Sequence, residues 1–281
     1  MTVDSRLIEP GTIEYPVGLG DLEAPPSLHL LGTLNAAPGV AVVGTRRCTR
    51  YGIELAEAFG AALAGAGWTT VSGLARGIDA AAHRGCLTAD GHAVAVLGSG
   101  IDVCYPRENQ PIYDRILESG GAILSEYPAG TPPDRWRFPA RNRIIAAISA
   151  AVVVVEAART GGALITARLA AEIGRPVFVV PGDVDRVASV GCNLLIRDGA
   201  QPVLGAGDLI EELSLILGPP RGTAPAASDL DLPSEGVPLD ELASHWSVTM
   251  PEALARVGRL ELEGQVERRG DLVVPKGVPL D

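Results

Sequence analysis

Short continuous apolar runs alternate along the chain with stretches whose apolar residues recur at helical spacing. Residues 41–43, 68–71, 92–97, 122–124, 151–155 and 176–180 are runs of strand length, and the fifth holds Val152, Val153, Val154 and Val155 in succession. Uninterrupted runs of this kind predict strands buried on both faces. From Thr49 the period changes, and Tyr51, Leu55, Ala58, Phe59, Ala62 and Leu63 are expected to share one helical face. Further helices are predicted through residues 80–83, after Tyr105-Pro106 as far as Leu117, over 143–149 and over 163–173. Strands alternating with helices predict an α/β protein with a doubly wound, mostly parallel sheet.

The glycines sharpen this reading. Gly44, Gly73, Gly98 with Gly100, and Gly161 with Gly162 each fall at the carboxyl end of a predicted strand. Open parallel sheets bind their ligands beyond that end. Residues 1–40 read as an irregular lead-in and residues 41–217 as the main domain. Pro219, Pro220, Gly222, Pro225 and Pro233 mark residues 218–235 as a flexible linker. Beyond it, apolar residues over 239–243, a turn at Ser247-Val248-Thr249, a helix over 251–263 and two strands around Gly270 predict a small winged-helix module at 236–281. Its negative charge, with only Arg256 and Arg259 on the second helix, favours protein contact or a structural role over duplex binding.

At 281 residues and 47% hydrophobic composition the chain is long enough for a sizeable core. No apolar run reaches the roughly 18 residues that suggest a membrane span. Residues 1–7 lack the charged start and apolar stretch of a secretory signal. Cys48, Cys86, Cys104 and Cys192 lie far apart without a Cys-x-x-Cys pair, which argues against a zinc site or a disulfide framework. The expectation is a soluble cytoplasmic protein with no metal, no cofactor and no membrane partner.

The net charge of −11, spread evenly, would disfavour a polyanionic partner. The distribution changes that inference. Residues 41–217 hold sixteen basic against eighteen acidic side chains, and the arginines are clumped. Arg46, Arg47 and Arg50 share one loop, and Arg135, Arg137, Arg141 and Arg143 fall within nine residues. The only lysine is Lys276, so no lysine is available for a nucleotide site in the main domain.

Val42-Val43-Gly44-Thr45-Arg46-Arg47 is a strand that turns at glycine and feeds a helix, a place where backbone N–H groups and the helix dipole hold phosphate. Arg46, first after the turn with Thr45, is expected to point at the ligand, with Arg47 beside it. Gly161 and Gly162 offer the same N–H chemistry at a second helix start. Arg135-Trp136-Arg137-Phe138, continued by Arg141-Asn142-Arg143, interleaves cations with aromatic rings, as single-stranded nucleic acid requires. Trp136 is expected to pack rather than stack. Asp79 is expected to cap its helix and His83 to be a satisfied core residue. A nucleotide-hydrolysing phosphate loop is disfavoured because G-x-x-x-x-G-K-[ST] is absent, and a dinucleotide site because G-x-G-x-x-G is absent.

Six motifs carry a resemblance. They are Val43-Gly44-Thr45-Arg46; Ser72-Gly73-Leu74-Ala75-Arg76-Gly77-Ile78-Asp79 with Ala82-His83; and Tyr105-Pro106. Ser125-Glu126-Tyr127-Pro128, Phe138-Pro139-Ala140-Arg141-Asn142-Arg143 and Gly162-Ala163-Leu164-Ile165-Thr166 complete the set. In order, from about residue 15 to residue 200, they resemble the DNA-processing protein A (DprA/Smf) family. The resemblance implies an extended Rossmann-like domain that binds single-stranded DNA, forms a homodimer and helps load RecA recombinase in natural transformation. It implies no catalysis. It places Arg46, Arg135 and Phe138 at positions the family uses for DNA, and it brings Thr166 into the set. Thr160-Gly161-Gly162-Ala163 stands where the family often has Ser-Gly-Ser, and the family's small N-terminal helical domain has no counterpart in residues 1–40. Leu194-Leu195-Ile196 is a candidate dimer surface. Two other readings stand beside this one: a Rossmann-like phosphoribohydrolase that cleaves nucleotides, and a RecA-interaction protein with weak DNA binding.

Overall fold

The computed structural model describes residues 5–218, 232–233, 236–246, 249–262 and 265–276, in two units, 1–220 and 221–281. In the first unit, β1 (Arg6–Ile8), β2 (Leu28–Gly32) and β3 (Gly39–Val43) lead into α1 (Arg50–Gly65). Then come β4 (Thr69–Ser72), α2 (Ile78–Thr88), β5 (Ala93–Gly100), α3 (Gln110–Glu118) and β6 (Ala122–Tyr127). The unit continues with α4 (Arg137–Ile148), β7 (Ala151–Val154), α5 (Gly162–Glu172) and β8 (Val177–Val179). It ends with α6 (Val190–Arg197), β9 (Gln201–Pro202) and α7 (Ala206–Leu217). The strands form one sheet in the order β1-β2-β6-β5-β4-β3-β7-β8-β9. From β6 to β9 every pairing is parallel. Val152, Val153 and Val154 are fully buried because β7 is sandwiched between apolar clusters on the two faces.

The lead-in is not irregular. β1 pairs with β2, and β2 with β6, all antiparallel, so residues near the start extend the sheet beyond its parallel part. Ile8, Leu28 and Leu30 join the main core, and Arg175 pairs with Asp21 at 2.5 Å to hold the intervening segment. Two expected boundaries also move. β5 runs on through Gly98-Ser99-Gly100, with an irregular register between Leu97 and Gly100. α4 begins at Arg137 because Pro139 falls in its first turn, where the missing N–H has no helical partner to lose.

The buried face of α1 is rotated from the expected one. Gly52, Ala56, Phe59, Gly60 and Leu63 face inward, while Tyr51 and Ala58 are exposed. The cause is the packing of α1 on α2: a Cβ at Gly60 would strike the Ala82 carbonyl, and one at Gly85 the Glu57 carbonyl. Backbone meets backbone there, and the glycines set the face. Leu194, Leu195 and Ile196 of α6 are half-buried, with Leu195 and Ile196 packed on the main core.

The second unit holds β10 (Val237–Pro238), α8 (Leu242–His245), α9 (Met250–Leu262), β11 (Val266–Arg269) and β12 (Leu272–Pro275). Its strands form an antiparallel sheet in the order β10-β12-β11 over a core that includes Leu242, Trp246, Val257 and Val273. Most of the linker expected over 218–235, and Ser247-Val248 of the expected turn, lie outside the described residues. Among the described residues no helix is long and apolar enough to cross a membrane.

Candidate nucleic-acid interface

The strand order reverses direction at β3. The chain steps from β3 through β4 and β5 to β6 on one side, and β7, β8 and β9 follow on the other. Such a switch point leaves a crevice beyond the carboxyl ends of the two central strands. A cleft of about 1020 Å³ lies there. Gly44, Thr45, Arg46, Arg47, Arg135, Phe138, Arg141, Asn142, Gly161, Gly162 and Thr166 all line it. Of the twelve residues singled out in the sequence, Arg143 alone does not.

Glu156, just beyond β7, fixes the arginine loop. Its backbone carbonyl accepts from Thr45 N–H at 2.7 Å, and its carboxylate accepts from Thr49 N–H at 2.9 Å and Thr49 Oγ1 at 2.5 Å. Thr49 caps α1 by accepting from Gly52 N–H at 3.1 Å. The buried carboxylate therefore sits at the amino end of α1, where Rossmann-type folds place a phosphate. Gly52 makes room for it, since a Cβ there would lie 2.5 Å from the Glu156 carboxyl carbon. With that anion site filled internally, the loop's cations face outward: Arg46 and Arg47 are exposed and form no ion pair with any described residue.

The start of α4 supplies the aromatic floor. The Arg46 guanidinium lies 4.8 Å from the Phe138 ring centroid, and Tyr105, 45% exposed, stacks on Phe138 with centroids 5.5 Å apart. Gly98 permits this, because a Cβ there would lie 2.8 Å from the Phe138 ring. A smaller cavity of about 190 Å³ opens between Phe138, Tyr105, Arg46 and Arg76. One turn further along α4, the structure gives the arginines other partners. Arg141 is only 3% exposed and donates to the Gly73 carbonyl at 2.9 Å and to the Val96 carbonyl, tying the end of β4 to the middle of β5. Arg143 turns away and pairs with Glu126 at 2.6 Å. Asn142 donates to the Gly162 carbonyl at 3.1 Å and so joins α4 to α5.

At α5, Gly161 and Gly162 are exposed and line the cleft, and no side chain caps the helix start. Thr166 is buried, and its hydroxyl donates back to the Gly162 carbonyl at 3.3 Å. Two arginines not singled out in the sequence complete the rim: Arg159, before the glycines, and Arg168, nearly two turns into α5, are both exposed and line the cleft. Arg159 carries a signal in the sequence, because it lies between a strand end and a helix start, next to glycines, just as Arg46 and Arg47 do.

Six arginines and one carboxylate, Asp79, line the cleft of a chain whose net charge is −11. Asp79 does not cap α2. It is buried and accepts from Gly73 N–H at 3.2 Å and Ala75 N–H at 3.4 Å, bracing the preceding turn, and burial raises its pKa against the pull of Arg141. His83 is in the core but is not satisfied: both ring nitrogens are buried and neither has a partner among the described residues. α2 is covered around nearly its whole girth, so the ring reaches no polar surface. Burial, with the Arg141 charge acting in the same sense, lowers its pKa to about 3. Among the described residues no group of three or more His, Cys, Asp or Glu side chains could hold a metal. What the cleft offers is exposed guanidinium, free N–H groups and ring faces, the chemistry of holding a polyanion with bases.

The sequence matches the family described as DNA recombination-mediator protein A over residues 6–214. Protein Smf of Synechocystis sp. is 44% identical over 218 residues, covering 75% of this chain and 54% of that protein. Against this relative the chain spans only about half the other's length. Protein Smf of Escherichia coli is 37% identical over 281 residues, covering 94% of this chain and 73% of that one. In structure the chain is similar to DNA processing protein A of Streptococcus pneumoniae, with a TM-score of 0.70, 39% identity and 74% of each chain covered. It is similar also to DNA processing protein A of Helicobacter pylori, with a TM-score of 0.68, 30% identity, and 76% of this chain and 98% of that chain covered. That structure was described for its single-stranded DNA binding mode. By these matches, over a first unit whose strand order and cleft are those described above, the chain belongs to the DNA recombination-mediator protein A (DprA/Smf) family.

Proposed function

We propose that this protein binds single-stranded DNA in the cleft beyond β3 and β7, protects incoming strands, and helps load RecA recombinase onto them in natural transformation. The observation that carries the reading is the rim. Arg46, Arg47, Arg135, Arg159 and Arg168 are exposed around one cleft without a described carboxylate partner, beside the Phe138 and Tyr105 rings. Arginines in a row hold successive phosphates, and rings hold bases irrespective of sequence. The single-stranded DNA binding mode described for the Helicobacter pylori relative supports the same assignment. Action as a homodimer and engagement of RecA belong to this reading as what family membership implies, and a cytoplasmic location and a winged-helix second unit with a protein-contact or structural role belong to it from the sequence.

Full-length protein titrated with a labelled oligonucleotide tests it. Arg46→Ala and Arg135→Ala should each weaken binding across sequences and lower the salt slope by roughly 0.7 per lost phosphate contact. Parental affinity in both variants would remove the assignment.

A phosphoribohydrolase is the competing reading, and the carboxylates weigh against it. Glu156 is committed to Thr49, and Asp79, the one carboxylate among the described residues that line the cleft, is buried and held by the Gly73 and Ala75 N–H groups, so the cleft presents no exposed carboxylate to a ribose. Release of free base from a nucleoside monophosphate would favour the enzyme instead.

A further inference from the structure

Trp136 is 57% exposed, which is uncommon for so large a ring, yet it is firmly held. Its indole N–H donates to Asp134 Oδ2 at 2.9 Å, and its ring meets Tyr127 edge-on, with centroids 6.2 Å apart and planes at 87°. The Arg137 guanidinium fills the corner between them, 5.1 Å from the Trp136 centroid and 4.8 Å from that of Tyr127. Arg137 is anchored in turn by donating to the Pro132 carbonyl. These contacts order a ring without hiding it.

The cleft does not account for this arrangement. At the start of α4, Arg135 and Phe138 line the cleft, whereas Trp136 and Arg137 do not. Their place along the sheet is informative. Phe138 packs over Gly98 of β5, and Trp136 packs on Tyr127 at the carboxyl end of β6, the next strand out. Neighbouring strands are about 4.8 Å apart, so the rings follow one edge of the sheet away from the arginine loop of β3. Cations accompany them, with exposed Arg135 at the cleft and Arg137 beside Trp136. The nearby carboxylates are engaged, Asp134 by the indole and Glu126 by Arg143.

The geometry points to Trp136, backed by Tyr127 and Arg137, as a second stacking platform that takes bases of the same DNA strand where it leaves the cleft on the β6 side. This rests on the reading that the cleft holds single-stranded DNA. A ring fixed by hydrogen bond and cation–π contact loses little freedom when a base stacks on it.

The test compares oligothymidylates of about three and about twelve nucleotides, short enough to stay in the cleft and long enough to leave it. Both are titrated against full-length parent, Trp136→Ala, Trp136→Phe and Arg46→Ala. Trp136→Ala should weaken the longer oligonucleotide about five-fold or more and leave the shorter unchanged. Trp136→Phe, which keeps a ring face, should recover most of the loss. Equal affinity of Trp136→Ala and parent for the longer strand overturns the platform, and so does a loss of equal size on both lengths. A lower molecular mass of Trp136→Ala by light scattering would also overturn it, by marking the surface as a contact between protein copies. Arg46→Ala reports on the cleft separately: if it holds the shorter strand as well as the parent does, the cleft reading fails whatever Trp136 does.

Discussion

The Glu156 carboxylate accepts both the backbone N–H and the hydroxyl of Thr49, 107 positions away in sequence. This contact joins the segment after β7 to the cap of α1, and with the Thr45 N–H bonded to the Glu156 carbonyl it holds both ends of the loop carrying Arg46 and Arg47. Glu156→Gln should reduce stability by roughly 1.5–3 kcal/mol, the scale of hydrogen bonds to a charged group. Gly52→Ala should act in the same direction by crowding that carboxylate, at roughly 1–3 kcal/mol. Urea denaturation of the two variants checks both values, and unchanged midpoints would refute the latch.

The rim arginines should behave differently. Arg47→Ala, Arg159→Ala and Arg168→Ala alter exposed side chains, so their unfolding midpoints should stay within about 0.5 kcal/mol of the parent. The salt dependence of oligonucleotide binding should fall for each residue that meets a phosphate. Salt slopes equal to the parent's for all three would confine the site to the Arg46 side.

Arg141 reverses that pattern. Its guanidinium holds the Gly73 and Val96 carbonyls in the interior, and Asp79 feels its charge. Arg141→Ala should cost roughly 3 kcal/mol or more of stability, because it strands buried acceptors and a buried acid. Thermal unfolding would show the loss before any binding assay does.

The difference between these arginines marks how far the sequence could be read. Apolar runs and glycines located the strands and the loops around the cleft, because continuous burial and strand ends are written locally, whereas the strand order and its switch point are not. Nor is the side on which each side chain falls. Arg135, Arg141 and Arg143 look equivalent in a basic stretch, but Arg135 stays at the rim ahead of α4, while rotation along the helix sends Arg141 into the core and Arg143 to Glu126. β1 and β2 escaped notice because their pairing is with each other and with β6, about a hundred residues downstream. The rotated face of α1 likewise depends on Gly85, which lies in another helix.

His83 gives the pH dependence. The unfolded chain takes up a proton at histidine near pH 6.5, whereas the folded chain refuses it until about 3. Stability from this residue is therefore complete above about pH 6.5 and falls as the pH drops, by roughly 3 kcal/mol by pH 4. Asp79 works in the opposite sense at the acidic end, since its raised pKa lets the folded state bind a proton first. His83→Leu should be neutral or stabilising at pH 7, because it removes two orphaned nitrogens, and should flatten the decline between pH 6.5 and 4. Denaturation midpoints across that range measure it; a decline as steep as the parent's would exclude His83 as the source.

The glycine contact between α1 and α2 has a mechanical consequence. The arginine loop enters α1 and the Gly73–Ala75 turn enters α2, and the two helices touch backbone to backbone at Gly60 and Gly85. Neither helix can slide without carrying the other, so the arginine loop and the Gly73–Ala75 turn shift as one body. On the proposed reading, adaptation to different sequences then comes from the DNA strand, whose own joints are soft, moving over an arginine bank that keeps its shape.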